Sequence, residues 1–496
     1  MIHSDLFRTE DGKNRLVTFI LVSSLFLLWG FLNGMIDVMD KHFQEELGLN
    51  LSQSAWVQFA HYLGYFLMAL PAGWLASKLG YKGGIITGLV MVAAGGFWFI
   101  AATHLATFWS FLLGVCFIAS GLTFLETVAN PYTTVLGPKQ FAATRINLAQ
   151  SCNGIGWIFG PIAGAMFFYS TDAQGHSTGA QTLWIPYAAV GVIVLVLALI
   201  FWRVELPDIK TTDDYHMDEA DVAANASSGS GMSALAVALV WANLVVLAAS
   251  FGMIFTAIAA VFDPDESHGL WFFLGSTALA FVISAFVVGL KAHRFGQQSI
   301  WSHPHFSSAT LTQFFYVAAQ SGIFAYFINY MTSQTPVEIS NKTASTLASV
   351  GFVCFLVGRF TGAALLKKFP AHHILGLYAA INVLACLLVM LKWGWVSVVA
   401  VFLSYFFMSI MFPTIFALGI HGLGARAKRA SSYIVMAIMG GAIVPKLMGH
   451  VADEHGMSTG FVVPLVCFLA VAAYGFNWVR LSGSSGVVGL QGTKGH

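Results

Sequence analysis

The chain is written in apolar runs of about twenty residues, separated by short polar punctuation, and that pattern leaves few folds open. A run of about 20 apolar residues crosses the hydrocarbon core of a bilayer as a helix. Lipid admits only helices or closed barrels, because no backbone group can be left unpaired there. The runs fall near 16–37, 54–76, 84–103, 108–130, 145–169, 183–203, 234–261, 269–291, 309–331, 343–366, 373–391, 394–420, 431–451 and 460–481. They make fourteen expected transmembrane helices, grouped as six, two and six. Charged residues are 9% of the chain and hydrophobic residues 57%, where soluble domains carry roughly 25% charged residues. The expected class is an all-α polytopic membrane protein. A formal net charge of +1 leaves no electrostatic footprint for nucleic acid.

The expected organisation is an N-terminal six-helix half at 1–204, a cytoplasmic linker at 205–233, an inserted helix pair at 234–291, a C-terminal six-helix half at 292–481 and a disordered tail at 482–496. The linker is acidic and then rich in Ser, Gly and Ala, a flexible composition. The first apolar run lacks a small-residue cleavage site and reads as a span, not a removable signal. With both termini cytoplasmic, the outer loops hold Lys41, Lys342 and Lys392, the spans hold Arg359 and Lys446, and the other 18 of the 23 Lys and Arg face inward. That bias satisfies the positive-inside rule. The halves repeat weakly, with Arg145 and Arg429 each 16 residues before a proline, Pro161 and Pro445. Parallel six-helix halves place a substrate site between them near the midplane. The five cysteines are scattered singly and read as small hydrophobes, and no metal or cofactor motif is visible.

Polar residues inside the runs are the candidates for function, since an ionised side chain at mid-bilayer costs about 3 kcal/mol on insertion scales. Glu126 stands in a stretch that is otherwise apolar from Phe108 to Ala129, with Asn130 one turn on, before Pro131. Asn33 and Asp37 share a helix face at i and i+4, beside Gly30 and Gly34, which admit a ligand or a neighbouring helix. Asn147, Gln150 and Asn153 form an amide stripe, and Gln313, Tyr316 and Gln320 a second one with an aromatic. Such stripes suit the hydroxyl edge and apolar face of a sugar, and they equally serve as contacts between helices. Lys446 follows Pro445 in an apolar run, where it pairs within a cavity, meets substrate or has a structural role; Arg359 reads as a gate residue near the inner end. The pairs His303/His305 and His372/His373 read as solvated loop residues.

The runs "WGFLNGMID", "YFLMALPAGWLASKLGYKGGIITGL", "GLTFLETVANPYTTVLGP", "RINLAQSCN", "QFFYVAAQ", "GRFTGAALL", "MSIMFPTIFALGI" and "SSYIVMAIMGGAIVP" resemble the fucose/glucose/galactose–proton symporter family of the major facilitator superfamily. The resemblance covers nearly everything except 204–300 and the tail. It implies import of a neutral monosaccharide coupled to protons, with alternating access of two halves about a midplane site. It implies that Asp37 and Glu126 are the key ionisable residues and that Asn147 and Gln150 are family amides. The chain departs from the family's fucose symporter in pairing Asn33 with Gly34, in having Lys446, and in its extra helix pair. The expected function is therefore a secondary transporter and not an enzyme, with no cofactor. Its expected partners are a monosaccharide, a proton (alternatively sodium) and membrane lipid, acting as a monomer in a cell membrane, a bacterial inner membrane in the first instance. Proton coupling is expected at Glu126 and Asp37. Substrate contacts are expected at Asn33, Asn130, Asn147, Gln150, Asn153, Gln313, Tyr316, Gln320 and Lys446. A sugar sensor that binds without transporting is the alternative from another class.

Overall fold

The computed structural model describes residues 7–8, 13–137, 142–169, 182–206, 233–262, 269–290, 299–366, 369–421, 423 and 427–483. The tail after Gly483 and nearly all of the expected linker lie outside them. The first half comprises α1 (Leu16–Leu47), a single-turn α2 (Leu51–Ser54), α3 (Trp56–Leu105), α4 (Phe108–Val135), α5 (Ala142–Phe167) and α6 (Trp184–Arg203). Helix α3 is two spans in one, broken at Gly80, whose φ of 69° lies in the left-handed region that favours glycine. The expected inserted pair falls on α7 (Ala234–Phe262) and α8 (Gly269–Leu290). The second half comprises α9 (Pro304–Ala325), α10 (Phe327–Gln334), α11 (Asn341–Leu366), α12 (Ala371–Met390), α13 (Trp395–Met408), α14 (Met411–Ile420), α15 (Ala427–Met436), α16 (Gly440–His455), α17 (Met457–Gly460) and α18 (Val462–Ser482).

Among the described residues, eleven helices are long and apolar enough to cross a membrane, or twelve if the bent pair α9 and α10 is one span. The expected count of fourteen is not confirmed by that measure. The two segments that fall short are α5 and the arm of α3 before Gly80. Both are diluted by polar residues, Asn147, Gln150 and Asn153 in one and Gln58, His61, Tyr62 and Tyr65 in the other.

Close helix contact in lipid relies on small residues, and α1 meets α5 in this way. A Cβ on Gly30 would lie 2.0 Å from the Asn153 carbonyl oxygen, one on Gly156 would lie 2.2 Å from that of Leu27, and Gly34 faces Gly160. The glycines beside Asn33 and Asp37 therefore admit a helix. The halves meet where α11 lies along α5: Ser345 and Ser349 donate to the carbonyls of Pro161 (2.9 Å) and Ile158 (2.7 Å). The second half is the more interrupted. Its first span bends by 48° between α9 and α10. Helix α13 stops at Met408 and α14 resumes at Met411, and a 3-10 turn at Ala437–Met439 separates α15 from α16.

In the inserted pair, α7 packs on α9, with Asn243 donating to the Ser307 carbonyl (3.0 Å) and Phe251 against Phe66 of α3. Helix α8 packs chiefly on α7 and turns Trp271, Val282 and Phe286 outward. Of the histidine pairs, His373 is exposed and His303 half-buried, whereas His305 and His372 are buried on helices. His305 meets the His421 carbonyl, and His372 is buried against Trp478.

At one end of the bundle the halves are sealed together. The Asp453 carboxylate of α16 accepts from the backbone N–H groups of Leu51 (3.0 Å) and Ser52 (2.9 Å), at the start of α2. The Tyr326 hydroxyl lies within reach of the Leu51 (2.8 Å) and Pro445 (3.0 Å) carbonyls. Asn329 donates to Gln44, and Asn341 to Glu45. Replacing Asp453 with Ala is expected to loosen this seal by about 1 kcal/mol, a few-fold shift of the equilibrium between closed and open ends. A maleimide reacting with a cysteine placed at buried Ala55 in purified protein reads the change; an unaltered rate would assign the seal to other contacts.

Candidate functional site

The site is assembled around Asp37, 9% exposed on α1. Its Oδ1 accepts from Gln58 Nε2 of α3 at 2.8 Å, and its Oδ2 has no protein partner. One turn earlier, Asn33 is buried with an unpartnered Oδ1. Gln58 belongs to the sequence "WVQFAHYLGYF", whose spacing sets Gln58, His61 or Tyr62, and Tyr65 on one face of an otherwise apolar span. The Tyr65 hydroxyl accepts from Trp29 Nε1 at 2.6 Å and sits beside Asn33 and Glu126. Glu126 is half-buried on α4 and forms no hydrogen bond or ion pair among the described residues. Both acids thus interact with α3, Asp37 by a hydrogen bond to Gln58 and Glu126 electrostatically with Tyr65.

The second half closes over this face. Ser321 of α9 donates towards Gln58 Oε1 (3.4 Å) and the Gly441 carbonyl (3.2 Å). Tyr405 of α13 lies near Asp37, with its hydroxyl buried and unpartnered. Its ring stacks on Phe324 at 4.6 Å, and Phe352 and Trp157 complete an aromatic cluster drawn from both halves. Gln313 is fully buried on α9, with neither amide atom partnered. Native interiors satisfy about nine in ten buried polar groups, so several orphans in one region call for a ligand or a proton.

The expected residues divide by what they touch. Asn33, Asp37 and Gln313 are buried with free polar atoms. Gln320 is half-buried on the face of α9 that carries Gln313 and Phe324, and Gln150 is half-buried on α5. Asn153 donates to the Phe26 carbonyl at 3.3 Å and so joins α5 to α1. The Tyr316 hydroxyl donates to the Met408 carbonyl (2.9 Å), at the interruption between α13 and α14. The side chains of Asn130 and Asn147 lie outside the described residues. Lys446 is at the sealed end: its Nζ is 3.3 Å from the Ser52 carbonyl and 4.3 Å from the centre of the Trp56 ring. Arg359 reaches the Ser409 carbonyl (3.5 Å) and lies over Phe355, against the same helix interruption. Gln58, Ser321, Tyr65 and Tyr405 were not among the expected residues. The polar face of "WVQFAHYLGYF" was the available signal for Gln58 and Tyr65.

A bundle of membrane-length helices around a shared polar centre is the architecture of a membrane transporter. The chain belongs to the Major Facilitator Superfamily, whose family model matches residues 16–328. It is 32% identical to the L-fucose-proton symporter of Escherichia coli strain K12, over 95% of this chain and 96% of that protein. It is 28% identical to the glucose/galactose transporter of Brucella abortus, over 94% and 95% of the two chains. It superposes on the crystal structure of a Major Facilitator Superfamily transporter, FucP, in the outward conformation. The TM-score there is 0.60 at 31% identity, covering 93% of this chain and 99% of that one.

Proposed function

We propose that this protein imports a neutral monosaccharide together with a proton. The carrying observation is the set of buried, unpartnered polar atoms contributed by both halves at Asp37, namely Asn33 Oδ1, Asp37 Oδ2 and the Tyr405 hydroxyl, with the unpartnered Gln313 amide eight residues before Ser321 on α9. Hydroxyls of a sugar would both donate to and accept from such a set, and the Trp157–Phe324–Tyr405 cluster offers apolar faces to a pyranose ring. Relatives named for fucose, glucose and galactose support the substrate class. Asp37 would hold sugar hydroxyls and share in proton handling, and Glu126 would load and release the coupled proton. Asn130, Asn147 and Gln150 complete the proposed amide lining.

With the termini on the cytoplasmic side, as the Lys and Arg distribution favours, the sealed end is the outer one. Lys446 then belongs to the outer closure, and the carrier is shut to the outside. The test is uptake by proteoliposomes of labelled L-fucose, D-glucose, D-galactose, D-mannose, D-fructose or N-acetylglucosamine. An imposed pH gradient is expected to drive accumulation of at least one of them, unchanged when sodium is removed. Accumulation that requires sodium would replace the proton as the coupling ion. Binding without uptake would favour a sensor.

A further inference from the structure

Among the described residues, the Gln58 side chain hydrogen-bonds both Asp37 and a residue of the second half, Ser321. It is 2% exposed, so neither end of its amide is compensated by solvent. The two ends are chemically unlike, one donating and one accepting. An ionised Asp37 can only accept, so it requires the Nε2 end, and Oε1 is then turned to Ser321. A protonated Asp37 can instead donate to Oε1. The amide is then free to turn over and present Nε2 towards Ser321 and the Gly441 carbonyl, which Ser321 now holds at 3.2 Å. The other groups facing Asp37 are Asp40 on its own helix, Tyr62 on α3 and Tyr405 on α13. From α5, the groups that meet α1 at this level are Trp157, Gly160 and Pro161, none of them titratable.

We propose that Gln58 is a positioning residue whose amide orientation reports the protonation of Asp37 to Ser321 and α16, so that the halves close in a proton-dependent way. This rests on the transport reading above and adds to it the part that joins the acid to the moving interface. The link is short. Gly441 lies against Tyr62, and α16 carries Asp453, which holds α2 at the sealed end.

The test uses spin labels at Leu47 and Glu454, exposed positions on opposite halves at the sealed end, in protein whose five cysteines have been replaced by serine or alanine. In otherwise wild-type protein the distance distribution between labels is expected to change between pH 5 and pH 8, without added sugar. Gln58→Leu is expected to remove that response, and Ser321→Ala to reduce it. Gln58→Glu places a second carboxylate against Asp37, so the two compete for a proton. Its transition is expected to move up by about one pH unit or more. A purely structural Gln58 would lower the melting temperature of purified protein and leave the pH midpoint in place. A response identical in wild type and Gln58→Leu, or no response in wild type, overturns the proposal. If the distances respond through Gln58 while proteoliposomes accumulate none of the sugars, the transport reading fails and the coupling stands.

Discussion

Glu126→Gln is expected to abolish concentrative uptake while leaving exchange of internal for external sugar. Glutamine keeps the size and a hydrogen-bonding end of the side chain but cannot carry a proton. A membrane potential of about 100 mV supplies roughly 2.3 kcal/mol per charge, and one pH unit about 1.4 kcal/mol. Together they support an accumulation of roughly 500-fold for one proton per sugar. In the variant that ratio should fall to about one. Exchange needs only the loaded carrier to reorient, and a permanently neutral residue at 126 imitates the loaded state. Glu126 is suited to the role because it is half-buried, makes no ion pair among the described residues and interacts electrostatically with Tyr65. Concentrative uptake that survives in Glu126→Gln would move coupling elsewhere, with Asp37 the next residue to replace.

Gly30→Ala should be almost as damaging, for a mechanical reason. The added methyl would sit 2.0 Å from the Asn153 carbonyl oxygen, a backbone atom that cannot rotate away. Gly156 meets α1 from the opposite side in the same way. Helices α1 and α5 would have to part by an ångström or more, and overpacking of this kind costs about 1–3 kcal/mol or more. It would also carry Asn33 and Asp37 away from Gln58. The expected result is a melting temperature lower by several degrees or more, with uptake reduced to background. Gly275→Ala on α8 is the control, since a Cβ there would meet nothing within 4 Å. Equal behaviour of the two variants would mean that the α1–α5 contact is looser than the structure has it.

Much of the fold could be read in the chain because lipid makes hydrophobic length a nearly direct record of helices. The exceptions carry the most information. Helix α5 and the first arm of α3 fall short as apolar spans because polar residues interrupt their hydrophobic runs. The acids at 37 and 126 were legible because charge in an apolar run is rare. Periodicity alone could not separate a ligand-facing amide from a helix-joining one: Gln313 is unpartnered, whereas Asn153 serves the Phe26 carbonyl and Tyr316 the Met408 carbonyl. Gln58 and Ser321 were invisible as a pair, being 263 positions apart in sequence. Lys446 looked like a charge within a span, yet, on the helix that also carries Asp453, it reaches the Ser52 carbonyl and lies over Trp56.

The interruptions at Ala325–Phe327, Met408–Met411 and Ala437–Gly440 all lie in the second half, opposite the glycine seam that fastens α1 to α5. A continuous helix resists bending because every turn is hydrogen-bonded to the next, whereas a broken one yields at the break. Among the described residues, the helix breaks near the site thus lie on the second-half side. Breaks of this kind would let the second half yield around whatever occupies the centre while the glycine seam holds α1 against α5. Arg359 and the Tyr316 hydroxyl grip the carbonyls of Ser409 and Met408 at one such joint, so its stiffness is set by side chains and not by the backbone alone.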